Sequence, residues 1–255
     1  MVKLETGYSF SNVPYIGYDA LEEYAEKLVW DFAPERLKNP GIIDVDEFLE
    51  YYLSLNMDFR RICFNKTVLG ITAFNDGVVD IINDQGEPDE LEVLKGTVII
   101  DTSLMPKKNE HRYRFTGMHE GVHWMIHREA FAEDNPFGPA GTYENQFIAA
   151  KEGLGDYTRS TKEKTDIDRM ERQADFLAAG ILMPRPALRE VYRQFFRIYQ
   201  EKPRRIIRGT SPMDDIFSKQ LPDYVSKIFN VSNKAATIRL EKLTAIVDRK
   251  WGYRY

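Results

Sequence analysis

At 255 residues the chain is long enough for one large domain, or for a main domain with a small appendage. Hydrophobic residues make up 43% and charged residues 29%, an ordinary globular balance, and no apolar run approaches the ~20 residues that span a bilayer. The opening MVKLETGYSFSNVPY lacks the basic-then-apolar layout of a secretory signal, and Cys63 is the single cysteine, so no internal disulfide or thiolate zinc site is expected and a cytoplasmic location is. The net charge of −5 conceals a contrast: residues 185–255 carry 16 Lys/Arg against 7 Asp/Glu, while the preceding body is acidic. Such a segment can bind nucleic acid or an acidic partner, or it can fold back on its own body.

In chain order, Leu21, Tyr24, Ala25, Leu28 and Val29 recur at helical spacing and predict a helix over Tyr18–Phe32. Pro34 and the KNPG at 38–41 break it, and Val45–Leu55 reads as a second helix. Strand-like runs follow at Met57–Cys63, Val68–Phe74, Val78–Ile82 and Thr97–Asp101. Asn75-Asp76-Gly77 gives a hairpin signal between the second and third. A long helix is predicted from about Arg112 to Ala130, with Phe115, Met118, Val122 and Met125 as its apolar stripe. Residues 132–165 read as loop, with weak helical character around Phe147–Leu154. A strong helix covers Asp166–Leu182, and Pro186 opens another with Leu188, Val191, Tyr192, Phe195 and Tyr199 on one side. Residues 202–212 read as a linker, and two short helices close the chain. The expected fold class is α+β, with a helical lead-in, a small sheet and then helices.

All four histidines lie within residues 111–127. At their centre, His119-Glu120-Gly121-Val122-His123 forms an H-E-x-x-H pattern. On a helix, residues i and i+4 share a face, so His119 and His123 can both reach one ion. Glu120, about 100° round, can touch a water held there. The plainer alternative is two surface histidines on an amphipathic helix. A catalytic zinc site takes three protein ligands. His127 is one turn further on, but three ligands over two turns spread about 12 Å, which suits it to packing or hydrogen bonding beside the site. The helix at 166–182 offers Glu171 and Asp175 at i and i+4. A carboxylate from it would complete the set, and its neighbour could accept a ligand's ring N–H. Small Ala174, Ala178 and Ala179 would let that helix pack close; otherwise the acidic pair is an exposed edge.

The stretch RYRFTGMHEGVHWMIH followed by MERQADFLAAGILMP strongly resembles the ImmA/IrrE family of metallo-endopeptidases. The matching residues are Arg112, Arg114, Phe115 and Thr116 before the H-E-x-x-H, then Glu171, Ala174, Asp175, Ala178 and Leu182-Met183-Pro184. The resemblance implies a zincin-like domain with a gluzincin-type site holding one Zn²⁺ per chain. His119, His123 and Glu171 would be its ligands, Glu120 the general base, and Asp175 the partner that holds a ligand imidazole. Tyr143, Tyr157 and His111 are the candidate donors to the oxyanion. One position departs from the family, which has glycine directly before the second histidine where this chain has Gly121-Val122. Gly121 costs the helix about 1 kcal/mol relative to alanine.

Residues 221–243, LPDYVSKIFNVSNKAATIRLEKL, resemble a helix-turn-helix, with Ser232 placed to cap the second helix. Val231, Ser232, Ala235, Arg239 and Leu240 match a pattern common in the family. Asn233, Lys234 and Thr237 would face a DNA groove, but Lys234, Arg239 and Lys242 are the only positive charges on that helix, which favours a module that packs on the peptidase or docks its protein substrate over one that binds nucleic acid. Two regions are therefore expected, a metallopeptidase domain over 1–205 and a helix-turn-helix-like segment over 206–255. The function implied is zinc-dependent cleavage of one intracellular protein, a helix-turn-helix repressor, with consequent control of transcription from a mobile element or stress response. The alternatives are a metal-containing DNA-binding or protein-binding regulator without peptidase activity, and a degenerate fold used only for binding.

Overall fold

A computed structural model describes residues 6–65, 67–132, 135, 147–151 and 165–248, the last-but-one stretch as backbone only. A short antiparallel pair, β1 (Gly7–Tyr8) and β2 (Pro14–Tyr15), leads into α1 (Tyr18–Phe32). Leu21, Tyr24, Ala25, Leu28 and Val29 are the buried face of α1, as their spacing predicts. The second helix is shorter than its sequence suggests. It starts as α2 (Val45–Glu47), capped by the Asp44 side chain, and widens into a π-helical turn over Phe48–Tyr52.

Next come β3 (Asn56–Arg60), β4 (Val68–Ala73), β5 (Gly77–Ile82), β6 (Pro88–Val93) and β7 (Thr97–Asp101). The hairpin expected at 75–77 does not form. β4 pairs antiparallel with β7, and β3 pairs parallel with β7 on its far side, whereas β5 pairs with β6. The true hairpin turns at Asn83, whose side chain accepts from the N–H groups of Gln85 and Glu87, with Gly86 at φ +83°. Asn75 and Asp76 act as a corner between the two sheets. Asn75 donates to the Phe131 carbonyl, and Asp76 accepts from the Lys95 N–H.

β8 (Phe147–Lys151) is a strand where weak helix was expected, and it completes a sheet of order β3-β7-β4-β8 by pairing antiparallel with β4. Along β4, Ile71 and Ala73 face the β5–β6 hairpin, and Gly70 and Thr72 face the opposite way, the period-two alternation of a strand. On that opposite side lies α3 (Glu110–His127), buried round most of its circumference. Gly117 and Gly121, one turn apart, let it settle onto the π-helical turn. A Cβ on Gly121 would meet Leu49 Cδ2 at 2.5 Å, and one on Gly117 would meet Val45 Cγ1 at 3.2 Å. The glycine that costs helix propensity is the one that makes room.

α4 (Asp166–Leu182) has the bounds its sequence predicts, because Thr165 and Asp168 form a reciprocal capping box at its start. It lies between α1 and α3. Ala174 and Ala178 are fully buried, and a Cβ on Gly180 would stand 2.9 Å from the Ala25 Cβ. α5 (Arg185–Ile198) follows, with Pro186 in its first turn. The stretch read as a linker contains β9 (Ile206–Arg208), which pairs in parallel with β10 (Ile246–Asp248).

Between them run α6 (Pro212–Phe229) and α7 (Asn233–Lys242), joined at Asn230 in the left-handed conformation, with the Ser232 hydroxyl accepting from the Ala235 N–H at 3.0 Å. Ile206, Phe217, Leu221, Val225, Phe229, Ala236 and Leu240 belong to the same hydrophobic core as Leu21, Leu28, Met118 and Val122. Among the described residues this core includes side chains from both sides of position 205. A buried ion pair ties α7 to the rest. Arg239, 1% exposed, forms a fork with Glu22 of α1, 3% exposed, and donates to the Met183 carbonyl at the end of α4. Part of the basic segment thus does fold back on the acidic body, as Arg185 also does on Glu26 at 2.7 Å.

Arg239→Met should lower unfolding stability by about 3–5 kcal/mol, since Glu22 would stay buried without its partner, and adding Glu22→Gln should restore part of the loss. Urea titration of the parent, single and double variants measures this. Parent-like stability in Arg239→Met would show that the pair does not hold α1, α4 and α7 together.

Candidate metal centre

α3 places His119 and His123 one turn apart on the face toward α4, both fully buried. Their Nε2 atoms point at each other across 2.9 Å. From α4, Glu171 brings one carboxylate oxygen to 3.3 Å from His119 Nε2 and the other to 3.4 Å from His123 Nε2. His119, His123 and Glu171 each contribute a donor atom to a cluster within 4.8 Å, close enough to bind one metal ion. A tetrahedral ion with bonds of about 2.0–2.2 Å separates its ligand atoms by about 3.3–3.6 Å. The two histidine–glutamate distances already match, and the histidine pair has to spread by only about 0.5 Å. The donor set fits a small divalent ion with a preference for nitrogen and carboxylate.

Electrostatics agree with that fit. Burial works against charge on His119, but the hydrogen bonds and charges of Asp175 and Glu171 outweigh it and hold its pKa well above the ordinary value. Burial pushes His123 down, against the pull of Glu171. Burial likewise opposes charge on Glu171, yet the two imidazoles bring it below the usual carboxylate range. With its pKa raised, His119 sets proton binding in competition with metal uptake.

Asp175 lies one turn beyond Glu171 and accepts from His119 Nδ1 at 3.0 Å. His127 does not join the three donors. Its Nδ1 is 2.9 Å from His123 Nδ1, and its Nε2 is 3.0 Å from Gln173 Oε1. Glu120 is fully buried and faces β4, where the Thr72 hydroxyl donates to its carboxylate and lies 3.2 Å from its backbone carbonyl. The approach is close enough to require glycine at position 70, because a Cβ there would stand 2.7 Å from Glu120 Oε1. Of the three candidate oxyanion donors, Tyr143 and Tyr157 lie outside the described residues. His111 sits at the other end of α3, eight positions before His119 and so about 12 Å along the axis. It lines a groove with Phe115, Phe176, Lys234 and Ile238.

Four residues of this centre escape the sequence reading: Gly70, Thr72, Gln173 and, through its carbonyl, Pro14, which accepts from Gln173 Nε2 at 2.7 Å. Gly70 did carry a signal, since a glycine inside a strand marks close backbone approach. The other three carry none. On α7, Lys234 lines the groove beside α3 and α4, while Asn233 and Thr237 line a separate cleft with Arg208 and Lys219. Among the described residues no helix is long and apolar enough to cross a membrane.

The purified chain should bind one zinc per molecule, and His119→Ala, His123→Ala and Glu171→Ala should each lose it. Uptake near neutral pH should release a proton, because the pKa of His119 is raised and metal must displace what it holds; affinity then rises with pH until that pKa is passed. Calorimetry in buffers of different ionisation enthalpy reads the proton, and metal analysis reads the stoichiometry. Full metal content in Glu171→Ala would rule out the carboxylate as a ligand. Comparison of the chain with models of known protein families and with curated proteins gives no match, so the reading of this centre rests on its residues and their geometry.

Proposed function

We propose that this protein is a zinc-dependent endopeptidase that cleaves a specific intracellular partner, a helix-turn-helix repressor being the class that the resemblance to ImmA/IrrE peptidases implies. The observation that carries the reading is the convergence of both H-E-x-x-H histidines and Glu171 on one buried point. Three protein donors of this kind leave a fourth tetrahedral position for chemistry, which a closed structural site lacks. Zinc bound there would supply a Lewis acid that lowers the pKa of an attacking water towards about 7 and polarises the scissile carbonyl.

The remaining work belongs to the chain. Glu120, next to His119 on α3, takes the proton of the attacking water and passes it to the departing amine. Thr72 steadies that carboxylate from β4, and Gly70 leaves it the space to stand there. Asp175 holds His119 in the orientation a ligand needs. The α6–α7 segment, with Lys234 on the groove that Asp175 also lines, is the surface assigned to docking of the partner.

A second reading is a metal-containing regulator without peptidase activity. It draws on the hydrogen bond that directs Glu120 to Thr72 on β4. Glu120→Gln separates the two. That variant should keep fold and zinc but lose cleavage, because an amide cannot accept the proton; the parent and variant are incubated with the helix-turn-helix repressors encoded beside the gene, and fragments are read by mass spectrometry. Undiminished turnover in Glu120→Gln, or no discrete fragment with the parent, would defeat the peptidase reading. Gly70→Ala should also cut cleavage by at least tenfold, an energy of about 1.4 kcal/mol at the barrier, while zinc content stays at the parent level.

A further inference from the structure

Behind His123 a chain of hydrogen bonds runs away from the metal centre to the backbone of β2. His123 Nδ1 meets His127 Nδ1 at 2.9 Å, His127 Nε2 meets Gln173 Oε1 at 3.0 Å, and Gln173 Nε2 meets the Pro14 carbonyl at 2.7 Å. The three side chains have no exposed surface. No water can therefore reset a proton that faces the wrong way, and a mismatched contact would leave buried polar atoms unpaired, at about 1–3 kcal/mol each.

The sense of each bond is fixed from the far end. A backbone carbonyl carries no proton, so Gln173 must turn its NH₂ to Pro14 and its oxygen to His127. His127 Nε2 then has to donate. A neutral imidazole holds one N–H, so His127 Nδ1 is bare and accepts, and the proton between the two histidines belongs to His123 Nδ1. His123 Nε2 is left with its lone pair directed at the point where His119 Nε2 and Glu171 meet. Reversing any one bond would set two lone pairs or two protons against each other further along.

We infer that His127 and Gln173 are positioning residues that lock His123 into the Nδ1–H tautomer, with the Pro14 carbonyl as the fixed reference. The inference rests on the reading of His119, His123 and Glu171 as metal donors, and it gives the fourth histidine of the cluster a role none of those donors has. The Nδ1 of His119 is held instead by a carboxylate, Asp175. His123 is held by neutral groups alone, which keeps a second negative charge out of a fully buried part of the core.

The test uses the full chain and three substitutions. His127→Leu removes the acceptor at similar volume, His127→Asn places an amide oxygen where Nδ1 stood, and Gln173→Leu leaves His127 free to take either tautomer. Zinc affinity is measured by competition with a chromophoric chelator, and the tautomer of His123 by ¹⁵N imidazole shifts in labelled protein without added metal. His127→Leu and Gln173→Leu should weaken zinc binding by about 10–100-fold while full occupancy is still reached at saturating zinc, and His127→Asn should recover most of the loss. The shifts should show His123 protonated at Nδ1 in the parent and as a mixture in Gln173→Leu. Parent-like affinity in both leucine variants, or an Nε2–H tautomer of His123 in the parent, would overturn the inference. A parent that binds no zinc would instead remove the metal reading, and the shifts would still decide the tautomer.

Discussion

The constraint on which this structure depends is that one long helix, α3, buries a row of ionisable side chains. α3 carries His119, Glu120, His123 and His127 with no exposed surface, so every ring nitrogen and carboxylate oxygen among them has lost its water. Burying such groups without partners costs several kcal/mol each, enough to consume the stability of an ordinary domain. The surrounding elements read as a set of answers to that cost. β4 offers Thr72, α4 offers Glu171, Gln173 and Asp175, and β2 offers the carbonyl of Pro14. Gly117 and Gly121 bring the α2 region close on another side. A helix in the middle of a protein is usually apolar all round; this one is held in place by what its polar groups need.

Elements governed by local rules were legible in the sequence. α1 and α4 have their expected limits because the signals are local: periodicity and the following Pro34 for α1, a capping box for α4. Elements governed by distant pairing were not. β6, Pro88–Val93, alternates poorly and is half acidic, so only its partner β5 identifies it as a strand. β9 depends on β10, about forty residues later, and β8 on β4, so a loop and a weak helix were the natural local readings. The Asn75-Asp76-Gly77 turn failed for a different reason. β4 is sandwiched between β7 and β8, which leaves β5 no edge to pair with there.

The candidate centre divides along the same line. The i, i+4 spacing of His119 and His123 states their shared face directly, and Glu171 and Asp175 entered as a pair on a second helix whose distance from the first no spacing reveals. The resemblance to a known family chose between them. Gln173 and Thr72 belong to no pattern, since a glutamine or threonine becomes meaningful only once the buried atom it satisfies is known. The C-terminal segment shows the reverse case. Its cap at Ser232 and its turn at Asn230 were written in the sequence, whereas Arg239, one of the few charges on α7, points into the core.

The ion pair between Glu22 and Arg239 joins residues 217 positions apart. A ribosome delivers Glu22 long before Arg239, so for most of synthesis α1 carries a carboxylate that it cannot bury. Its final packing on α4, which Arg239 also grips through the Met183 carbonyl, has to wait for α7 to emerge. Contacts of such long sequence separation form slowly, because the loop between them must close before the contact rewards it. The contact that joins α1 to the end of α4 is therefore among the last the chain can make. A chain interrupted before α7 would leave α1 and the end of α4 without the side chain that joins them, and Glu22 without its partner.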